Sequence, residues 1–253
     1  MRVRDLLRHI DSFAAFSLAE EWDNSGLLLG SPDAECVRVG VSLDAVSESV
    51  LAASEEGCNV LVCHHPLIFR AVKHIIDETE QGRTILEAVR RGVNIIAAHT
   101  NWDKARGGVN DTLSALLGLR EVEPLDAESG LGVVGVIEAS GLEEFLLRVK
   151  ASWGLSHIDA YGGAERVVSV ALCGGSGSEF WGLAKRKGAD IYLTADMKYH
   201  ELIDATQGGL TIGIINHGEM ERAALPELAR KISLCGVETA ILDVKALTGP
   251  LRI

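Results

Sequence analysis

The sequence predicts an α/β fold with mostly parallel sheet. Short β-branched runs alternate with amphipathic helical runs, the rhythm of strand–helix–strand units. Gly57, Gly92, Gly118, Gly188 and Gly236 each stand where a helical run should stop. The 253 residues are 47% hydrophobic and 24% charged, close to the soluble globular average. That is material for one large domain or two small ones, and it excludes disorder as the main state.

The elements follow in order. Val3, Leu6, Leu7, Ile10 and Phe13 recur at helical spacing. Asp5, Arg8, His9 and Asp11 interrupt the same stretch, so it reads as an amphipathic helix and not as a signal-peptide core. A turn-like stretch, Trp22-Asp23-Asn24-Ser25-Gly26, comes next. Strands are predicted over 37–43, 60–63, 93–98, 167–172, 191–193, 210–215 and 239–242. Helical patterns fall near 47–56, 83–91, 109–117, 142–151, 178–187, 198–206 and 219–232. The acidic stretch 119–132, with Pro124 and turn residues, is the best internal boundary in a single unit of 1–253. It would separate lobes 1–122 and 131–253, although a loop inside one domain would serve equally well.

Charge and cysteine usage narrow the function classes. Lys and Arg total 24 and Asp and Glu total 36, a net charge of −12. Duplex nucleic acid is held by neutralising its phosphates, so this balance argues against a nucleic-acid partner but allows a local pocket for a small anion. No apolar run approaches the ~20 residues that span a bilayer, which argues against a membrane partner. Cys36, Cys58, Cys63, Cys173 and Cys235 show no CxxC spacing and mostly sit in or beside apolar runs. That is the pattern of reduced, buried thiols in a cytoplasmic protein.

Three strand ends carry the chemistry. Cys63-His64-His65-Pro66 closes the run NVLV. His99-Thr100-Asn101-Trp102-Asp103 follows NIIAA, and Asn216-His217-Gly218-Glu219-Met220-Glu221 follows TIGII. The carboxyl edge of a parallel sheet is where α/β folds place their ligands. Adjacent side chains diverge, so His64 and His65 could serve two different ions. His217 and Glu221 are spaced i, i+4 and share a helix face, with Glu219 pointing elsewhere. Histidine and carboxylate donors suit divalent Zn, Mn or Fe, and a carboxylate can bridge two ions. Cys63 faces the opposite side of its strand and belongs to the core. Each motif alone also reads as the start of a polar loop; their coincidence at three strand ends is what favours a metal site.

Two further segments are candidates for substrate contacts. Gly174, Gly175, Ser176 and Gly177 follow a strand and precede a helix, where consecutive amides can form a nest for a phosphate. A plain tight turn explains them equally well. Lys198 and His200 open a helical run and could reach a substrate or simply face solvent.

The segments WDNSGLLLG (22–30), VCHHPLIF (62–69), AAHTNWDKARGGVND (97–111), LCGGSGSEF (172–180), LTADMKYHE (193–201) and INHGEMER (215–222) together resemble the Nif-three-like family of dinuclear metal proteins. Its bacterial members are often labelled YbgI-like or GTP cyclohydrolase type 2-like. The resemblance implies mostly parallel or mixed sheets flanked by helices in two related lobes, in the short form without a central inserted domain. It implies that His64, His65, Asp103, His217 and Glu221 ligate two divalent metal ions per chain, with the glutamate shared. His99 matches a histidine near the metals that is not usually counted as a ligand; it would support a ligand or transfer a proton. The resemblance also implies a homohexamer, a toroidal trimer of dimers. One departure is Thr194-Ala195-Asp196-Met197 before Lys198, where the family often has Gly-Glu or Gly-Asp; the carboxylate is kept at Asp196.

The expected function is dinuclear-metal-dependent hydrolysis of a nucleotide or another phosphorylated small molecule, in the manner the cyclohydrolase label suggests. The alternative is a non-catalytic metal-binding scaffold or regulatory ring. A ring around DNA is a third reading, opposed by the charge.

Overall fold

All seven strands expected from the sequence are present in the computed structural model, which describes residues 1–247. In chain order the elements are α1 (Val3–Phe13), β1 (Gly26–Leu29), β2 (Arg38–Ser42), α2 (Ser47–Glu55), β3 (Val60–Cys63), α3 (Glu80–Arg91), β4 (Asn94–Ala97), α4 (Thr100–Lys104), α5 (Val109–Leu117), β5 (Arg120–Pro124) and β6 (Val133–Ser140). They continue as α6 (Leu142–Trp153), β7 (Ile158–Tyr161), β8 (Val167–Ser176), α7 (Trp181–Arg186), β9 (Ile191–Ala195), α8 (Tyr199–Gln207), β10 (Thr211–Ile215), α9 (His217–Arg222), α10 (Leu225–Ser233) and β11 (Glu238–Ile241). The chain divides into two compact units: Met1–Arg106 with the segment from Leu225 onward, and Gly107–Ala224.

The first unit holds a sheet of order β1-β4-β3-β2-β11. β4, β3, β2 and β11 are parallel; β1 runs antiparallel to β4, with Gly26 opposite Ala97. All four residues of β3 are buried, as a strand covered on both faces requires. Leu61 and Cys63 pack with Val50 and Ala53 of α2 and Ile85 and Ala88 of α3. α10 lies against β2 and β11, and α1 against α10. α3 begins where the Thr79 side chain accepts from the Gly82 amide, and ends at Gly92, whose φ of 66° is the left-handed cap that glycine adopts without cost.

The second unit holds a sheet of order β5-β6-β8-β9-β10-β7. β8, β9 and β10 form its parallel centre, and the strands on either side are antiparallel. Phe180, Ala184 and Ala205 from the α7 and α8 side pack on Ala171, Cys173, Tyr192 and Ile212. Both sheets are therefore mixed, with a parallel core.

Three expectations change. The stretch 119–132 holds β5 and the turn that leads to β6, an antiparallel pair with Pro124 opposite Val133 inside the second unit. The chain crosses between units at Arg106–Gly107 and Ala224–Leu225, away from the lobe limits 122 and 131. The helix expected over 219–232 is two helices, because Pro226 has no amide to give and its ring would strike the Arg222 carbonyl of a continuous helix; α9 stops at Arg222.

Candidate metal centre

In the first unit, four segments deliver polar side chains to one sheet edge. β2, β3 and β4 end there, and antiparallel β1 starts there, so the residues just before Gly26 join them. The amides of His64 and His65 donate to the carbonyls of Ser42 and Leu43, which fixes both residues just beyond β3. His64 is 1% exposed. Its Nδ1 lies 2.9 Å from the Ala98 carbonyl, which can only accept. Nδ1 is therefore the donor, which orients the ring and leaves Nε2 as the atom that would face a metal ion. That Nε2 is 3.6 Å from Oδ1 of Asp103, in α4.

His65 and His99 are each held by a carboxylate. His65 Nδ1 is 2.7 Å from Asp44 Oδ1, and His99 Nδ1 is 2.8 Å from Asp23 Oδ1. One ring nitrogen from each of His64, His65 and His99 lies within 4.8 Å of the other two. The ring centroids of the adjacent His64 and His65 are 5.1 Å apart. His99 stands in the cluster with them.

Asp23 anchors this corner. Its side chain is fully buried, and it accepts from Thr100 Oγ1 at 2.6 Å, the Thr100 amide, Ser25 Oγ and the Asn24 amide. Burial alone would push its pKa up, but the bonds from His99 and Thr100 outweigh it and hold the carboxyl well below the usual range.

In the second unit, β8, β9 and β10 again end at one edge. Asn216 caps α9 by accepting from the Glu219 amide. His217 Nε2 and Glu221 Oε2 lie 3.1 Å apart on one face of that helix, as their spacing predicts. Glu219 turns away, accepting from the amide and hydroxyl of Ser156. His217 Nδ1 is 2.6 Å from Asp196 Oδ2, which also accepts from Ser176 Oγ at 2.7 Å. Asp196 adopts φ 54°, a left-handed conformation costing a non-glycine residue about 1 kcal/mol or more, and here it aims the carboxylate at His217. Burial raises the Asp196 pKa; the His217 and Ser176 bonds more than compensate, and it lies below the ordinary value.

The glycine-rich segment has a different role from the phosphate nest considered above. β8 runs on through Ser176, the Gly174 amide donates to Asn110 Oδ1, and the Gly177 amide donates to Thr194 Oγ1. Those two donors are committed to the protein. Gly175, at φ +65°, leaves room for a carboxylate instead: a Cβ there would sit 2.2 Å from Glu221 Oε1. Lys198 and His200 are exposed at the start of α8, where Glu201 accepts from the Lys198 amide.

The sequence reading missed Asp23 and Asp44 as supports. Asp23 had a signal, a turn aspartate within WDNSG; Asp44 had only its place just past a strand end. The residues fit a divalent ion. An imidazole that donates from Nδ1 to a carbonyl, two more imidazoles backed by carboxylates, and an i, i+4 His/Glu pair in a cradle kept open by glycine are borderline-to-hard donors of the kind Zn, Mn and Fe accept.

The chain thus has two mixed α/β units, each with histidine and carboxylate groups that could bind a metal at the carboxyl edge of its parallel strands. The chain belongs to the Duf34/NIF3 (NGG1p interacting factor 3) family, whose model matches residues 1–247. It is 35% identical over 254 aligned residues to a Lactococcus lactis protein named "GTP cyclohydrolase 1 type 2 homolog", covering 99% of this chain and 98% of that one. A Clostridium perfringens protein of the same name is 34% identical, over 92% of this chain and 91% of its own. A crystal structure of a Bacillus cereus protein related to NIF3 shares the fold, with a TM-score of 0.91 at 24% identity over 100% of this chain and 99% of that one.

Proposed function

We propose that the protein is a dinuclear-metal-dependent hydrolase acting on a nucleotide or another phosphorylated small molecule. The observation that carries this reading is the His64–His65–His99 cluster, three ring nitrogens within 4.8 Å of one another and each imidazole oriented through Nδ1. In the first unit His64, His65 and Asp103 would ligate metal, and in the second unit His217 and Glu221 would do so. The names of the curated relatives support the nucleotide part. Bound there, a pair of divalent ions would supply Lewis acidity toward a phosphoryl or carbonyl oxygen.

The chain's own groups do the rest. Asp23 accepts from His99 Nδ1, which leaves the other His99 nitrogen as a proton acceptor beside the cluster. Asp44 and Asp196 fix the rings of His65 and His217 in the same way. Lys198 and His200, exposed at the start of α8, are further groups a substrate could contact.

Metal content of wild type and Glu221→Gln, measured side by side by elemental analysis, tests the ligand set. About two ions per wild-type chain and a clear loss in the variant are expected. Less than about half an ion per wild-type chain after loading with Zn, Mn or Fe would remove the basis of the proposal. Full metal with no turnover of nucleotides or phosphoesters would leave the scaffold reading in its place.

A further inference from the structure

Beside the histidine cluster, in the same unit, two large aromatic side chains stand in solvent. Trp22 is 59% exposed and Phe69 46%. Their ring centroids are 5.7 Å apart at 63°, so they form an open corner. His99 sits at its base, 6.2 Å from Trp22 and 6.3 Å from Phe69.

This corner is held in place from both sides. Asp23, next to Trp22, is the fully buried carboxylate bonded to His99, Thr100 and Ser25. Asn24 Nδ2 donates to the Ile68 carbonyl, tying the Trp22 loop to the residue before Phe69. An indole kept in water on so firmly anchored a backbone has little conformational freedom to lose on binding, which is the property of an aromatic contact residue.

The chemistry around the corner points to one kind of ligand. Arg70 and Lys73 follow Phe69 in the same exposed segment, and among the described residues neither meets a carboxylate. In a chain of net charge −12, two exposed cations in the segment that follows Phe69 complement an anion attached to a flat ring. Bases stack on aromatic side chains whatever their identity, because every base has a π-face.

We propose that Trp22 and Phe69 are the base-binding wall of a nucleotide site at the His99 side of the cluster, with Arg70 and Lys73 as its phosphate partners. This rests on the reading of the cluster as a metal-dependent nucleotide site and adds to it which residues select the ring.

The test is calorimetric titration of metal-loaded protein with guanosine monophosphate, guanosine and ribose 5-phosphate, with metal content measured on each sample. Trp22→Ala and Phe69→Ala should each weaken guanosine monophosphate by about tenfold or more, the scale of one lost stack, and leave ribose 5-phosphate unchanged. Trp22→Phe keeps a ring and should retain most of the affinity, which separates stacking from damage to the fold. Arg70→Gln should weaken guanosine monophosphate but not guanosine. Unchanged nucleotide affinity in both alanine variants, or no nucleotide binding by metal-loaded wild type, overturns the proposal. So does a change of assembly mass in Trp22→Ala with nucleotide affinity intact, which would make the corner a contact between copies of the chain. Trp22-dependent nucleotide binding by a protein that takes up no metal would support the wall and defeat the metal reading alone.

Discussion

At Gly175 the missing side chain is what lets the Glu221 carboxylate lie where it does. An added Cβ would stand 2.2 Å from Oε1, and φ +65° is itself unfavourable for alanine. Gly175→Ala should therefore lower stability by about 1–3 kcal/mol and lower metal content together with it, read by urea denaturation and elemental analysis. Wild-type metal content in a stable variant would show that the carboxylate can move without loss. The donor residues were legible because each follows an apolar run that could only be a buried strand: His64 and His65 after Val60–Cys63, His217 after Thr211–Ile215. Their supports were not. Asp44 follows a strand too, but LDAVS contains nothing that marks one carboxylate as the partner of a histidine 21 positions later. The glycines at 174–177 were legible as special, but the sequence shows that a side chain is absent without showing that the Glu221 carboxylate occupies the space at Gly175.

Helix α2 is capped from outside itself. Glu80, in the first turn of α3, accepts from both the amide and the hydroxyl of Ser47, each at 2.7 Å. The Ser47 amide and hydroxyl bonds hold the Glu80 carboxyl below its ordinary value. A depressed carboxyl adds stability that is present above the unfolded pKa of about 4.3 and disappears as the pH falls through the folded value. Glu80→Gln should lower stability by about 0.5–1 kcal/mol at pH 7, the low end for a half-exposed cap, and the difference should shrink below about pH 4. Urea denaturation at pH 7 and pH 3.5 would read both; an equal difference at the two values would show that charge has no part in it. Among the elements, the parallel strands and long helices were readable from periodicity, and α5 was read to the residue. β1, β5, β6 and β7 were not. Arg120–Pro124 is exposed throughout and becomes a strand only by pairing with β6, a tertiary contact that no local pattern announces.

Over the whole chain, the second unit is a continuous stretch, Gly107–Ala224, with its own six-stranded sheet and core. Expressed alone, this segment should unfold cooperatively in urea when followed by circular dichroism; a featureless slope would show that it needs the rest of the chain. The hexamer implied by the family resemblance predicts, by sedimentation, a mass six times the 27.0 kDa of one chain. A monomer or dimer at working concentration would end that expectation.

The first unit is assembled from both ends of the polypeptide, and β11 pairs directly with β2. On the ribosome, β2 can pair early with β3 but must wait until Glu238–Ile241 is made before its second neighbour exists, by which time the second unit is already synthesised. The edge of β2 that β11 covers lacks that strand throughout the interval. Synthesis therefore finishes the middle of the protein before its beginning, and the unit bearing His64, His65 and His99 is the last to close.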